Sequence, residues 1–258
     1  MPFAELNETR LHYELSGASS APALVLAHSL GANLHMWDKI VPALERQYRV
    51  VRYDTRGHGE SAIPSAAFTI AELARDAVQL LDRLQIDQAH FCGLSLGGVV
   101  GMKLGIHHAD RIARLVLANT AARIGTREGW DERIAEVRSG GLGPIAESAM
   151  GRWFTARYIE ANPGEIEAIR NMIANTSVDG YLACSAALRD ADLRPEVPTI
   201  KLRTLIITGS EDPATPPADG RWLEQSIAGS TYLELPSAHL SAWERSEEFQ
   251  RAVLDFLG

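Results

Sequence analysis

The chain has 258 residues, of which 46% are hydrophobic and 22% charged, as in a globular protein with one large core. Its 25 Lys and Arg residues against 33 Asp and Glu residues give a formal net charge of −8. Nucleic-acid binding needs a surplus of positive charge on one face, so we expect no such partner. No window approaches the ~18 consecutive apolar residues of a membrane span, so we expect no membrane partner either.

The amino-terminal residues and the cysteines indicate the compartment. The segment MPFAELNETRLHYEL contains no basic patch followed by an apolar run, so we expect no signal peptide. Cys92 and Cys184 are too few for a disulfide framework and lack the spacing of metal ligands. These features predict a cytoplasmic location and no metal site. The sequence does not indicate an oligomeric state.

The first half of the chain alternates short β-rich runs with helical patterns. Strands that are buried on both faces of a parallel sheet are continuous apolar runs. This pattern predicts strands at 23–27, 48–53, 89–93 and 114–118, after an antiparallel hairpin of 3–6 and 10–15. Helices are predicted at 69–84, from an apolar stripe with a 3.6-residue period, and at 96–108.

The alternation stops near Thr120 and resumes after Pro198. Helical patterns alone fill the interval, at 129–139, 144–154, 164–175 and 178–188. Strand patterns then return at 202–208 and 231–235, with helices at 218–227 and 246–257. This order predicts an α/β fold, with a mostly parallel central sheet, helices on both faces and an inserted helical cap. We expect the core to comprise residues 1–120 and 199–258, and the cap residues 121–198.

Ser95 is the candidate nucleophile. The segment Gly93-Leu94-Ser95-Leu96-Gly97 fits the G-x-S-x-G pattern and lies between a predicted strand and a predicted helix. A strand that turns at once into a helix raises the Ser95 hydroxyl above the sheet edge, and the two glycines avoid clashes in the turn. The first N–H groups of the helix point to where an oxyanion would form. This context favours a nucleophile over a simple helix cap.

A serine nucleophile needs a base, and the base needs an orienting acid. On a sheet of this kind they follow in the order Ser, acid, His, each after a later strand. Of the eight histidines, His239 alone follows the last predicted strand. Asp212 follows the strand before it and is the predicted acid, with the adjacent Glu211 as the alternative.

Two backbone N–H groups are expected to form an oxyanion hole. One belongs to Leu96, the residue after the nucleophile, and we assign the other to Leu30 in the loop 28–31. His28 either holds this loop through a hydrogen bond or is an ordinary turn residue. The loop 53–61 is interpreted as structural, because nothing in the sequence places it over the nucleophile.

The motifs together resemble those of the α/β-hydrolase superfamily: HSLG at 28–31, YDTRGHGES at 53–61, GLSLGG at 93–98, GSEDP at 209–213 and the final His239. The resemblance covers the chain apart from the cap. Within the superfamily, further segments resemble the 3-oxoadipate enol-lactonases: FCGLSLGG at 91–98, GMKLG at 101–105, LVLANTAARIG at 115–125 and SAHLSAWER at 237–245.

This resemblance implies an α/β-hydrolase fold and, without a cofactor, hydrolysis of 3-oxoadipate enol-lactone to 3-oxoadipate in the β-ketoadipate pathway of aromatic catabolism. The family's nucleophile, acid and base fall on Ser95, Asp212 and His239. Its oxyanion amides fall on Leu30 and Leu96. One departure is Ser29, where many members of the superfamily have glycine.

Other functions stay open, because the cap selects the substrate. The same three residues also serve carboxylesterases, carbon–carbon bond hydrolases and perhydrolases, and some ligand sensors built on a hydrolase scaffold retain them. Haloalkane dehalogenation is disfavoured, since that chemistry needs a carboxylate where this chain has Ser95.

The implied substrate is a small anionic lactone, whereas the protein itself is negatively charged. A local cation must therefore receive the substrate carboxylate. The predicted cap contains nine arginines and no lysine. Trp130 and Arg133 would share one helix face, and we predict that they contact substrate together with Trp153. Taken singly, a tryptophan in a cap is more typical of packing, and an arginine in so arginine-rich a chain is more typical of a solvated surface. Other arginines are alternatives: Arg123, Arg127 and Arg138.

Overall fold

The computed structural model describes residues 2–63 and 66–258, and its strands are β1 (Phe3–Glu5), β2 (Arg10–Ser16), β3 (Ala23–Ala27), β4 (Arg49–Tyr53), β5 (Ala89–Leu94), β6 (Ile112–Ala118), β7 (Thr204–Gly209) and β8 (Thr231–Leu235). They form one sheet in the order β1-β2-β4-β3-β5-β6-β7-β8. The β1–β2 and β2–β4 pairs are antiparallel, and the remaining pairs are parallel. The predicted mostly parallel sheet is confirmed.

The α-helices are α1 (Val41–Leu44), α2 (Ile70–Arg83), α3 (Leu96–His107), α4 (Arg127–Gly140), α5 (Gly143–Trp153), α6 (Ala156–Ala161), α7 (Pro163–Ala174), α8 (Val178–Asp190), α9 (Pro217–Ser226), α10 (Ser241–Glu244) and α11 (Ser246–Leu257). Three of them, α1, α6 and α10, have no counterpart in the sequence prediction. Each has only four to six residues, which is too short for a 3.6-residue period to be visible.

The sheet separates two apolar layers. Along β3, Val25 packs in the layer that contains α2 and α3, whereas Leu24 and Leu26 pack in the layer that contains α1 and α11. Successive side chains of a strand point to opposite faces, so an unbroken apolar run requires cover on both. Full burial of one such leucine stabilises the fold by roughly 2 kcal/mol. The prediction of helices on both faces is confirmed.

The chain between β6 and β7 runs through α4 to α8, and this fully described segment contains no strand. These helices are joined to the sheet-bearing part of the chain at several points. The Leu240 N–H donates to the Trp153 carbonyl at 2.9 Å, and Lys39 pairs with Glu165 at 2.5 Å. The bounds 121 and 198 of the cap stay a prediction. Across the described residues, every helix is too short or too polar to span a bilayer.

Candidate active site

Ser95 lies in the turn between β5 and α3 with a φ of 57° and a ψ of −114°. A non-glycine residue in this region is strained by about 1–3 kcal/mol and persists only where its surroundings fix it. A Cβ on Gly93 would lie 2.1 Å from the Gly97 carbonyl oxygen, and one on Gly97 would lie 2.1 Å from the Ala27 carbonyl oxygen. Only glycine fits at these two positions, so the strand and helix can meet closely at Ser95.

The acid and base that the sequence predicted lie at the ends of adjacent strands. Asp212 follows β7 and His239 follows β8, and both side chains are buried. The His239 Nδ1 is 2.8 Å from Asp212 Oδ2. Glu211 is exposed and lies 3.4 Å from Arg157 instead. Of the two carboxylates that the sequence left open, only Asp212 contacts the imidazole.

The Asp212 carboxylate is held by a dense set of donors. Its Oδ1 accepts the N–H groups of Ala214 and Thr215, at 2.8 and 3.0 Å. Its Oδ2 accepts the Thr215 hydroxyl at 2.8 Å and Asn119 Nδ2 at 2.9 Å. Burial raises the pKa of a carboxyl group, but attraction to His239 and these hydrogen bonds lower the pKa of Asp212 to about 2. The group is therefore a carboxylate at neutral pH and fixes the proton of His239 on Nδ1.

Asn119 is a residue that the sequence analysis missed. It follows β6 with a φ of 43°, and its amide also lies 3.3 Å from the Ala238 carbonyl oxygen. Its Oδ1 accepts the hydroxyl of Ser241. Asn119 thus connects the loop of the acid to the loop of the base. The available signal was its position at the carboxyl end of a strand beside the nucleophile strand.

The two predicted oxyanion N–H groups lie on adjoining segments. The Gly97 N–H donates to the His28 carbonyl at 3.2 Å, which ties α3 to the loop 28–31. Among the described residues, the N–H groups of Leu30 and Leu96 have no hydrogen-bond partner. Leu30 and Ser95 line the same cavity, and free backbone donors of this kind are what an oxyanion hole requires.

Two buried histidines support the loop 28–31. His28 Nδ1 donates to the Ser29 carbonyl at 2.8 Å, and His28 Nε2 accepts the Thr55 N–H at 2.9 Å. His58 Nε2 accepts the Gly31 N–H at 3.0 Å. Burial lowers the pKa of His28, and burial with repulsion from His28 lowers the pKa of His58 to about 3.

These bonds show that the hydrogen-bonding interpretation of His28 is right. They also show that the interpretation of the loop 53–61 as merely structural is incomplete. That loop does not cover Ser95, but through Thr55 and His58 it contacts the loop that carries Leu30.

Ser95 and His239 line a cavity of about 270 Å³, and residues of the predicted cap line it as well. All three predicted substrate contacts line the same cavity: Trp130, Arg133 and Trp153. The Trp130 Nε1 donates to the Ile124 carbonyl at 2.7 Å, which fixes the plane of its ring. The alternatives Arg123, Arg127 and Arg138 do not line the cavity.

Arg152 also lines the cavity, although the sequence analysis did not select it. Its guanidinium contacts the Ser148 hydroxyl at 3.2 Å and, among the described residues, no carboxylate within 4.0 Å. Arg133 donates to the Tyr181 hydroxyl at 3.3 Å, and its nearest carboxylate, Glu136, is 3.9 Å away. Burial and repulsion from Arg133 lower the pKa of Arg152. An anion in the cavity would relieve that repulsion.

Comparisons with known proteins agree with this fold. A family model described as the alpha/beta hydrolase fold matches residues 22–246. The 3-oxoadipate enol-lactonase 2 of Acinetobacter baylyi is 42% identical over 95% of this chain and 92% of its own, and 3-oxoadipate enol-lactonase 1 of that organism is 39% identical over 96% and 92%. The crystal structure of the enol-lactonase from Burkholderia xenovorans superposes with a TM-score of 0.98, at 46% identity over 99% of both chains.

The geometry predicts different outcomes for the two neighbouring carboxylates. Asp212→Asn is expected to lower kcat for an aryl ester by about 10⁴-fold, because the amide no longer fixes the imidazole tautomer. Glu211→Gln, which changes an exposed group, is the matched control and should stay within about twofold of the parent. Steady-state rates of both variants decide the assignment. A harmless Asp212→Asn beside an inactive Glu211→Gln would move the acid to Glu211.

Proposed function

This chain belongs to the α/β-hydrolase fold family, and from that premise we propose that it hydrolyses 3-oxoadipate enol-lactone to 3-oxoadipate through an acyl-enzyme on Ser95. The curated relatives with about 40% identity are named for this lactone. The observation that carries the proposal is the shared cavity: Ser95, His239, Arg133 and Arg152 all line it, and most of its other walls are apolar. We retain the cytoplasmic location as part of the proposal.

Acylation begins at the lactone carbonyl. His239 Nε2 takes the Ser95 hydroxyl proton as the oxygen attacks, and a tetrahedral oxyanion forms. The N–H groups of Leu30 and Leu96 donate to this oxyanion. Because the fold already holds these donors in place, no free energy is needed to reorient them as the charge develops. The Asp212 carboxylate stabilises the imidazolium that His239 has become.

Collapse of the tetrahedral intermediate opens the ring. The bond between the acyl carbon and the ring oxygen breaks, and the His239 imidazolium donates its proton to the departing enol oxygen. This oxygen stays attached to the acyl chain, because the substrate is cyclic, and the enol tautomerises to the ketone. Water then attacks the ester on Ser95 with His239 as base, and one product molecule leaves. Each step uses groups of the chain and water.

The substrate carries a carboxylate beside its ring, and we assign this group to Arg133 and Arg152. Both arginines line the cavity. Because the protein as a whole has a net charge of −8, the attraction of an anionic substrate has to come from local positive groups. Arginine suits this role because its planar fork matches a carboxylate. The rings of Trp130 and Trp153 supply the apolar walls that a flat ring needs.

The direct experiment is the rate of enol-lactone hydrolysis by the parent and by Ser95→Ala. For the parent we expect a kcat/KM between about 10⁴ and 10⁸ M⁻¹s⁻¹. For Ser95→Ala we expect a loss on the order of 10⁶ in kcat, as in other triad nucleophile deletions. Near-normal turnover by Ser95→Ala would refute the nucleophile. Turnover of aryl esters with none of the lactone would refute the substrate.

The anion site is tested by Arg133→Leu and Arg152→Leu. Loss of a charge-assisted hydrogen bond should lower kcat/KM for the anionic lactone by about 10-fold to 100-fold. For a neutral enol-lactone without the carboxylate, kcat/KM should change little. Arg123→Leu is the matched control, because Arg123 belongs to the same segment and lies 3.8 Å from Asp192, outside the cavity. Equal losses on both lactones would exclude a carboxylate contact.

A further inference from the structure

Gly31, the residue after Leu30, has both of its polar backbone groups fixed by side chains. Its N–H donates to His58 Nε2 at 3.0 Å, and its carbonyl accepts the Thr176 hydroxyl at 2.9 Å. His58 belongs to the loop between β4 and α2, whereas Thr176 lies between the cap helices α7 and α8. The two bonds therefore hold one residue of the loop 28–31, here called the oxyanion loop, from two separate parts of the chain.

His58 can only be an acceptor at the nitrogen that faces Gly31. The side chain is fully buried, and its Nδ1 lies 3.4 Å from the Arg56 carbonyl and 3.9 Å from Cys184 Sγ. A neutral imidazole carries one N–H, and the Gly31 N–H occupies the lone pair of Nε2, so the ring proton is on Nδ1. A protonated His58 would present a second donor to Gly31 and break the contact.

The cap helix α8 packs so closely against the loop of His58 and against Gly31 that there is no space for a side chain at the contact points. A Cβ on Gly180 of α8 would lie 1.9 Å from the Gly57 carbonyl oxygen. Gly31 itself has a φ of +80°, and a Cβ there would lie 3.2 Å from the Tyr181 ring. The cap helix, the loop of His58 and the oxyanion loop thus pack as one unit around Gly31.

The direction of the Leu30 N–H follows from the hydrogen bonds that hold the Ser29 carbonyl. In a trans peptide the C=O and N–H point in opposite directions. His28 Nδ1 and the Ala32 N–H both donate to the Ser29 carbonyl, at 2.8 and 3.1 Å. The N–H of Leu30, in the same peptide plane, must therefore point away from those donors. The planes on either side of Gly31 decide whether that orientation persists.

We propose that His58 and Thr176 are positioning residues for the oxyanion hole, which act through the two polar groups of Gly31 and hold the Leu30 N–H toward the reacting carbonyl. The inference rests on the proposed function only in that it takes Leu30 as an oxyanion donor. Neither side chain touches substrate. Without them the peptide planes on either side of Gly31 are released, and one of these planes carries the Ala32 N–H that helps to hold the Ser29 carbonyl. The Leu30 donor is then displaced and not deleted.

Two pairs of variants test the proposal. His58→Leu removes the acceptor, whereas His58→Gln keeps an acceptor oxygen close to the position of Nε2. Thr176→Val removes only the hydroxyl, whereas Thr176→Ser keeps it. Each is assayed with 4-nitrophenyl acetate and with a trifluoromethyl ketone that the serine converts to a tetrahedral oxyanion. Thermal unfolding of each variant is measured in parallel.

For His58→Leu and Thr176→Val we expect kcat to fall by about 10-fold to 100-fold. This loss is smaller than the loss on full deletion of an oxyanion donor, because the Leu30 N–H is only displaced. The inhibition constant of the ketone should rise by a similar factor, while KM for the ester changes by about twofold or less. His58→Gln and Thr176→Ser should recover most of the loss.

An unchanged kcat in both variants would overturn the positioning role. So would a joint change of kcat, KM and the unfolding temperature without rescue by the conservative variants, because that pattern describes general loosening. If His58→Leu does not fold, Thr176→Val decides by the same measurements. The aryl ester separates this inference from the proposed substrate. If the parent enzyme hydrolyses the ester but not the lactone, only the proposed substrate is contradicted.

Discussion

The strained backbone at Ser95 is the constraint on which the rest of the site depends. Its N–H donates to the Ala118 carbonyl at 3.0 Å, and its own carbonyl accepts the Thr120 hydroxyl at 2.8 Å. These bonds come from the end of the neighbouring strand β6 and from the segment that follows it, and they hold a residue that would otherwise relax by about 1–3 kcal/mol. The turn also starts α3, whose Gly97 N–H anchors the loop 28–31. Ser95 and the two N–H groups proposed as oxyanion donors therefore depend on one piece of backbone geometry.

Near this turn, the groups that support the backbone are neutral, and the positive charges lie on the cap side of the cavity. Two buried histidines, His28 in the loop 28–31 and His58 packed against it, have lowered pKa values and stay neutral, so they serve as hydrogen-bond partners only. Positive charge enters the cavity through Arg133 and Arg152 on cap helices. In the proposed function, this separation leaves the oxyanion hole to backbone N–H groups, while the guanidiniums receive the substrate carboxylate.

Much of this arrangement could be predicted from sequence, because its signals are local. Apolar runs located the parallel strands, and the glycines around Ser95 identified the turn. The sequence predicted Asp212 with Glu211 as the alternative, and the burial and the contact with His239 that distinguish these adjacent carboxylates are visible only in the structure. His58 and Arg152 were missed for a similar reason. The partner of His58 is Gly31, far away in the chain, and Arg152 is distinguished from other cap arginines only by lacking a carboxylate and facing the cavity.

The central claim, an acyl-enzyme formed on Ser95 by opening of the enol-lactone, is tested most directly by rapid-quench mass spectrometry of the protein with the lactone. Because the leaving oxygen stays attached, the account predicts a transient adduct that adds the full mass of the substrate. Proteolysis should locate this adduct on the peptide that contains Ser95, and no adduct should form on Ser95→Ala. An adduct on another residue, or lactone turnover by Ser95→Ala at the parent's rate, would contradict the account.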